Sequence, residues 1–240
     1  MKVAIHQPQY FPYGGFFHKL SLSDLYVVMD DAQYDKRFTN RNRIIAPGGP
    51  VWISVPINKT QRFAPNLEVE INNDMRWQNL HWRRLELSYN KSRFFQLYKG
   101  YFEQLYKKEW KMLFDLDLET LGQVISWLGL KIEIVRESEL GVLSRSTERL
   151  VDVCKAVGAD TYIAGSGSKN YMDESVFERN NITVEYQKWV PVPYRQHLAK
   201  EGQFIPNLSI IDMLANLGPD TSKVLSGENP LVLTTGDRSS

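Results

Sequence analysis

The chain has 240 residues, 42% of them hydrophobic and 24% charged, which suits one large globular domain or a core domain carrying an insertion. Its 29 basic and 28 acidic side chains leave a formal charge of +1, so no global field recruits nucleic acid, although a local basic patch stays open. The single cysteine, Cys154, excludes an internal disulfide framework and a multi-cysteine zinc site, and the absence of a signal-like start or a run of roughly 20 apolar residues sets the expectation of a cytoplasmic chain with no membrane span.

The apolar run KVAI is followed by HQPQYFPYGGFFHK, residues 6–19, which predicts a buried strand ending in a turn of special backbone. FFHKLSLSD then predicts a short helix, and LYVVMDD a second buried strand that ends in Asp30 and Asp31. This β-loop-α-β start predicts an α/β fold with an open, mostly parallel sheet. KRFTNRNR, residues 36–43, reads as a basic loop before a further strand, VWISVPI.

From Trp77 to about Leu128, apolar residues recur three and four apart in three amphipathic runs. Three helices, inserted in the sheet or packed on it, are expected there, with Phe94, Phe95, Tyr98, Tyr101, Phe102 and His81 as structural residues. The α/β rhythm then resumes: strand KIEIVRE, helix STERLVDVCKAVG with Ser146 as N-cap and Gly158 as its stop, strand DTYIAG, loop SGSKNYMD, a helix through ESVFERN and strand ITVEYQKW. Cys154 shares an apolar helix face with Leu150, Val151, Val153 and Val157 and reads as an inert buried thiol. The organisation expected is a core in two parts, residues 1–75 and 130–240, around a helical insertion at 76–129, with a tail that frays from Ser226.

Four segments carry candidate chemistry. In the first, His6 and Gln7 end a strand where open α/β sheets bind ligands, Tyr10, His18 and Lys19 lie nearby, and Gly14 and Gly15 allow a ligand to approach the backbone at a helix start. A plain turn explains the same letters, and the two histidines flanking a glycine that mark nucleotidyltransferase domains are missing. In the second, Asp30 or Asp31 can act as a base or hold a cation, while Arg37, Arg41, Asn42 and Arg43 offer donors for phosphate or carboxylate; a solvated loop is the alternative. In the third, Gly165, Ser166, Gly167 and Ser168 form a candidate anion nest with Tyr171 as its lid, without the spacing of a Walker motif. In the fourth, Tyr194 and Gln196 are placed toward the same crevice, and Asp212, among apolar helix residues, either pairs with a buried cation or titrates abnormally.

These segments, HQPQYFPYGGFFHK, DDAQYDKRFTNRNRI with VWISVPI after it, AGSGSKNYMDESVFERNNITVEYQ and FIPNLSIIDMLANLG, occur in an order that resembles the WbqC-like protein family over nearly the whole chain. The resemblance implies a place among bacterial surface-polysaccharide (O-antigen, lipopolysaccharide) genes, and a glycine-transferase role has been suggested for some members. It carries over no catalytic residues.

The expected activity is transfer of an aminoacyl group, glycyl first, to the amine of a nucleotide-linked amino sugar. The donor is an adenylate made from ATP with Mg²⁺ or an aminoacyl-tRNA. His6, Asp31 and His18 are the expected catalytic side chains, with His6 as general base because an imidazole titrates near working pH. The remaining candidates bind substrate, and no protein-held metal is assigned. Alternatives are a nucleotidyltransferase, a metal-dependent hydrolase using His6, Asp30 and Asp31, and a non-catalytic partner of a glycosyltransferase. The loops at 6–19, 30–43 and 165–171 are expected at one crevice.

Overall fold

A computed structural model describes residues 1–170, 172–200 and 202–227. Tyr171 and the tail from residue 228 lie outside the described residues. In chain order the elements are β1 (Lys2–His6), α1 (Gly14–Ser21), β2 (Leu25–Val28), β3 (Arg41–Ala46), β4 (Gly49–Ser54), α2 (Trp77–Tyr89), α3 (Phe95–Lys107), α4 (Leu113–Leu128), β5 (Glu133–Arg136), α5 (Ser146–Ala156), β6 (Thr161–Ala164), α6 (Glu174–Arg179), β7 (Thr183–Tyr186), α7 (Ile210–Leu217) and α8 (Thr221–Leu225).

Five of the strands form one all-parallel sheet in the order β5-β2-β1-β6-β7. Successive side chains of a strand face opposite ways, so each strand feeds two layers. Val3, Ile5, Leu25 and Val27 pack with Val151, Cys154 and Phe177 of α5 and α6. Ala4, Tyr26 and Val28 pack with Phe16 and Phe17 of α1 and with residues of α2, α3, α4 and α7, all in one continuous cluster. The expected α/β architecture is therefore present, with helices on both faces of the sheet.

The basic segment differs from the expectation. Residues 41–46 are a strand rather than a loop, and β3 pairs antiparallel with β4, Arg43 opposite Trp52, in a two-stranded sheet apart from the main one. Period two explains it: Asn42, Ile44 and Ile45 are buried while Arg41 and Arg43 stay partly exposed. Ser146 is not the N-cap of α5 either. Arg145 holds that position without a side-chain cap bond, and Ser146 begins the helix with φ +54°. Gly158 does end α5, with φ +70°. Among the described residues no helix is long and apolar enough to cross a membrane.

Candidate functional site

The parallel register places the ends of β1, β2 and β6 on one edge of the sheet, with His6 beside Val28 and Ala4 beside Ile163. The stretches 6–19, 30–43 and 165–170 all leave from that edge. Counting only the strands of the main sheet, the order is 3-2-1-4-5, so the connections reverse direction at β1 and β6; sheets of this kind bind ligands outside such a reversal.

His6 is partly buried with its ring edge-on to Phe16, and its Nδ1 lies 2.9 Å from the Gln7 carbonyl oxygen. Nδ1 therefore carries the proton, and Nε2 presents a lone pair. Burial, and next the charge of Lys19, push the His6 pKa down to about 3. The imidazole is thus neutral at working pH and a weaker base than the simple expectation. Asp35 acts in the opposite direction on it. Lys19 lies almost fully under β1, its Nζ donating to the Ile5 carbonyl at 3.2 Å, and burial lowers its pKa to about 7.

Hydrogen bonds tie His6 to residues that sequence reasoning did not single out, Tyr26 and, through Met29, Asn66. Tyr26 Oη donates to the His6 carbonyl at 3.1 Å, and Met29 N–H donates to the same oxygen at 2.9 Å. Asn66 Nδ2 donates in turn to the Met29 carbonyl at 3.1 Å. Gln7 Oε1, Gln9 Oε1, Asn66 Oδ1 and both carboxyl oxygens of Asp117 are buried and have no hydrogen-bond partner among the described residues. Asp117 projects from α4, and its charge reaches the hydroxyls of Tyr10, Tyr26 and Tyr34. Burial drives its own pKa well above the usual carboxylate range. The signal was present in LFDLDLETL, where Asp117 occupies the apolar stripe of a helix.

Outside this cluster stands a cationic face. Arg41 lies over the Trp52 ring, 4.4 Å from its centroid, Arg43 is 5.9 Å from it, and the Phe38 ring is 6.1 Å away. Arg37 holds Asp35 through its Nε at 2.7 Å. Burial works to raise the Asp35 pKa, but the Arg37 bonds outweigh it and keep the carboxyl ionised. Arg41 also acts on Tyr34, which links this face to the inner cluster.

Several predicted site residues are engaged by contacts within the fold. Gly14 and Gly15 admit Trp189 rather than a ligand: a Cβ on Gly15 would lie 2.4 Å from the Tyr13 ring and 2.6 Å from Trp189. His18 is held against Trp189 by Gln187. Tyr10 is fully buried, its hydroxyl shared with Tyr106 at 2.6 Å and His81 at 3.1 Å. Asn42 clamps the Phe11 carbonyl at 2.8 Å, where φ of +42° puts a bulky residue in left-handed backbone.

Asp30 accepts from the backbone and hydroxyl of Ser138, and Asp31 pairs with Arg149, which also binds Glu137. Asp31 is therefore engaged by Arg149. The 165–168 segment is not an open nest: Ser166–Asn170 is a 3-10 turn in which both the N–H and the hydroxyl of Ser168 donate back to the Gly165 carbonyl. Gly165 and Gly167 have ordinary backbone angles and open space beside them. Tyr194 and Gln196 donate to Asp212 at 2.6 and 2.8 Å, and Tyr89 completes that carboxylate at 3.1 Å. Asp212 has three neutral donors and no cation, and burial raises its pKa despite them.

The segments that build this edge are shared with a known group. Residues 7–224 match the WbqC-like protein family, and the chain belongs to it. It is 31% identical over 226 residues to the uncharacterized protein Rv1507c of Mycobacterium tuberculosis, an alignment spanning 93% of this chain and 97% of that protein. No solved structure matches the chain.

Proposed function

We propose that this protein is an enzyme that transfers an aminoacyl group, glycyl first, to the amine of a nucleotide-linked amino sugar during synthesis of a bacterial surface polysaccharide. One observation carries the reading. The unpartnered oxygens of Gln7, next to His6, and of Asn66, joined to His6 through Met29, are acceptors, as an amine- and hydroxyl-bearing ligand requires, and Arg41, Arg43 and Trp52 form a cationic aromatic face that suits phosphates and a base.

In the reaction the sugar amine attacks the acyl carbon, a C–N bond forms, and the bond from that carbon to the oxygen of AMP or of tRNA breaks. The amine's proton passes to His6 Nε2, and the departing oxygen leaves as an anion of the nucleotide or accepts a proton from water. A ligand phosphate and Asp35 both raise the His6 pKa toward the range where that transfer works. ATP with Mg²⁺ supplies the adenylate if that is the donor.

Purified protein given an amino-sugar nucleotide, glycine and ATP, with and without charged tRNA, is expected to yield the N-glycyl sugar by mass spectrometry. Absence of that product from every donor, with the polysaccharide of a deletion strain unchanged in its acyl substituents, overturns the proposal. Arg41→Ala is expected to raise the KM for the nucleotide sugar about tenfold with kcat little changed, since a contact remote from the reacting carbon is felt equally in ground and transition states. The strand order favours nucleotidyl transfer as a second reading; pyrophosphate release that depends on a sugar phosphate and not on glycine would select it.

A further inference from the structure

Asp117 is the buried group that the fold explains least. Its side chain is 1% exposed, and neither carboxyl oxygen has a hydrogen-bond partner. A native protein seldom leaves such atoms unpaired, because each loses its water without replacement. The neighbours do not remedy this. Tyr10 Oη is already shared with Tyr106 and His81, and Tyr26 Oη donates to His6. Asn66 Oδ1, Gln7 Oε1 and Gln9 Oε1 add acceptors, not donors. Asn66 reaches this place through the Met29 carbonyl, and the 3-10 turn that carries it, Asn66–Glu68, packs on α4.

A compact donor with several hydrogens and a positive charge would pair both oxygens of the ionised carboxylate. A hydroxyl brings one hydrogen and no charge, and a guanidinium is a wide planar fork. A primary ammonium carries three hydrogens and its charge in one small group. We infer that Asp117, with Asn66 on the turn packed against its helix, is the binding site for a primary ammonium group of the ligand. This rests on the transferase reading, which brings two such groups to the protein: the α-amine of the aminoacyl donor and the amine of the sugar.

Calorimetry on the full chain separates these sources. Glycinamide stands for the donor end and glucosamine for the acceptor end; glycolamide and glucose are their hydroxyl counterparts. The parent is expected to bind at least one amine tenfold or more tightly than its counterpart, and Asp117→Asn is expected to bring that ratio near one. Preference for glycinamide assigns the site to the donor, and preference for glucosamine assigns it to the acceptor. A second measurement needs no variant: pairing an ammonium with Asp117, whose burial favours its protonated form, releases a proton, so the binding heat should change with the ionisation heat of the buffer for the amine and not for its counterpart. Tyr10, Tyr26 and Tyr34 are all raised, first by burial, and stay neutral.

Equal binding of amine and counterpart by the parent, no binding of either amine, or an amine preference that survives in Asp117→Asn overturns the inference. The two readings fail separately. An N-glycyl product from an enzyme whose Asp117→Asn variant keeps the preference sinks the ammonium site alone, whereas a preference lost in Asp117→Asn with no transfer from any donor sinks the transferase alone.

Discussion

Two buried aspartates divide the molecule into a part that is complete and a part that is not. Asp212 on α7 receives hydrogen bonds from Tyr89, Tyr194 and Gln196, which tie three distant segments together. Asp117 on α4 is as deeply buried and has no partner for either oxygen among the described residues. Both carboxyls have pKa values raised by burial. The contrast teaches that burial alone does not tell a structural carboxyl from a binding one; the state of the surrounding donors does.

The most severe way to break the comparison is to remove the satisfied carboxylate. Asp212→Ala leaves three buried donors without their acceptor and is expected to cost about 4 kcal/mol of stability, read by urea unfolding. A loss below about 1 kcal/mol would mean that the Tyr89–Tyr194–Gln196 cluster does not hold the fold together.

The open cluster should respond in activity instead. His6→Ala is expected to lower kcat on the order of a hundredfold, with an unfolding midpoint close to that of the parent, because its help is needed as the proton leaves the amine. Intact turnover in a folded variant would remove the base assignment and leave His6 a wall of the site.

A pH series sharpens the satisfied side. His81 is bonded to Tyr10 and the Ser54 carbonyl, and burial, partly offset by the Ser54 bond, pushes its pKa down to about 3. The folded value lies below the unfolded one of about 6.5, so the stability it contributes is present above pH 6.5 and lost as pH falls toward 3. Between pH 7.5 and 5 the parent should lose about 2 kcal/mol more than His81→Gln does. Parallel losses in both proteins would mean that His81 is as readily protonated in the fold as in the unfolded chain.

The smallest expected effect is the most diagnostic. Asp117→Asn removes a buried titratable group without a partner and should raise stability by about 1 kcal/mol, whereas an isosteric change at Asp212 should lower it. A loss of stability at Asp117→Asn would indicate that this carboxyl, too, has a structural partner.

Much of the architecture was legible because it rests on local pattern. KVAI and LYVV are continuous apolar runs and became β1 and β2; the amphipathic runs from Trp77 to Leu128 became α2, α3 and α4. Cys154 lies on the buried face of α5, where burial raises its thiol pKa to about 12. The basic segment was misread as a loop because its period-two burial is masked by cations at alternate positions, and Gly14 and Gly15 look the same in sequence whether a ligand or Trp189 approaches them.

The sequence by itself determined the five strands of the main sheet, the helices from α1 to α7, the α/β class and His6 at the end of the first strand, since each depends on residues adjacent or three to four apart. Only the tertiary structure decided which polar residues were occupied. Asp31 met Arg149 across 118 positions, Tyr89 met Asp212 across 123, and Asp117 met no donor among the described residues. A hydrogen bond forms between atoms about 3 Å apart whatever their separation in the chain, so the partners of a buried polar group are fixed by packing and not by spacing.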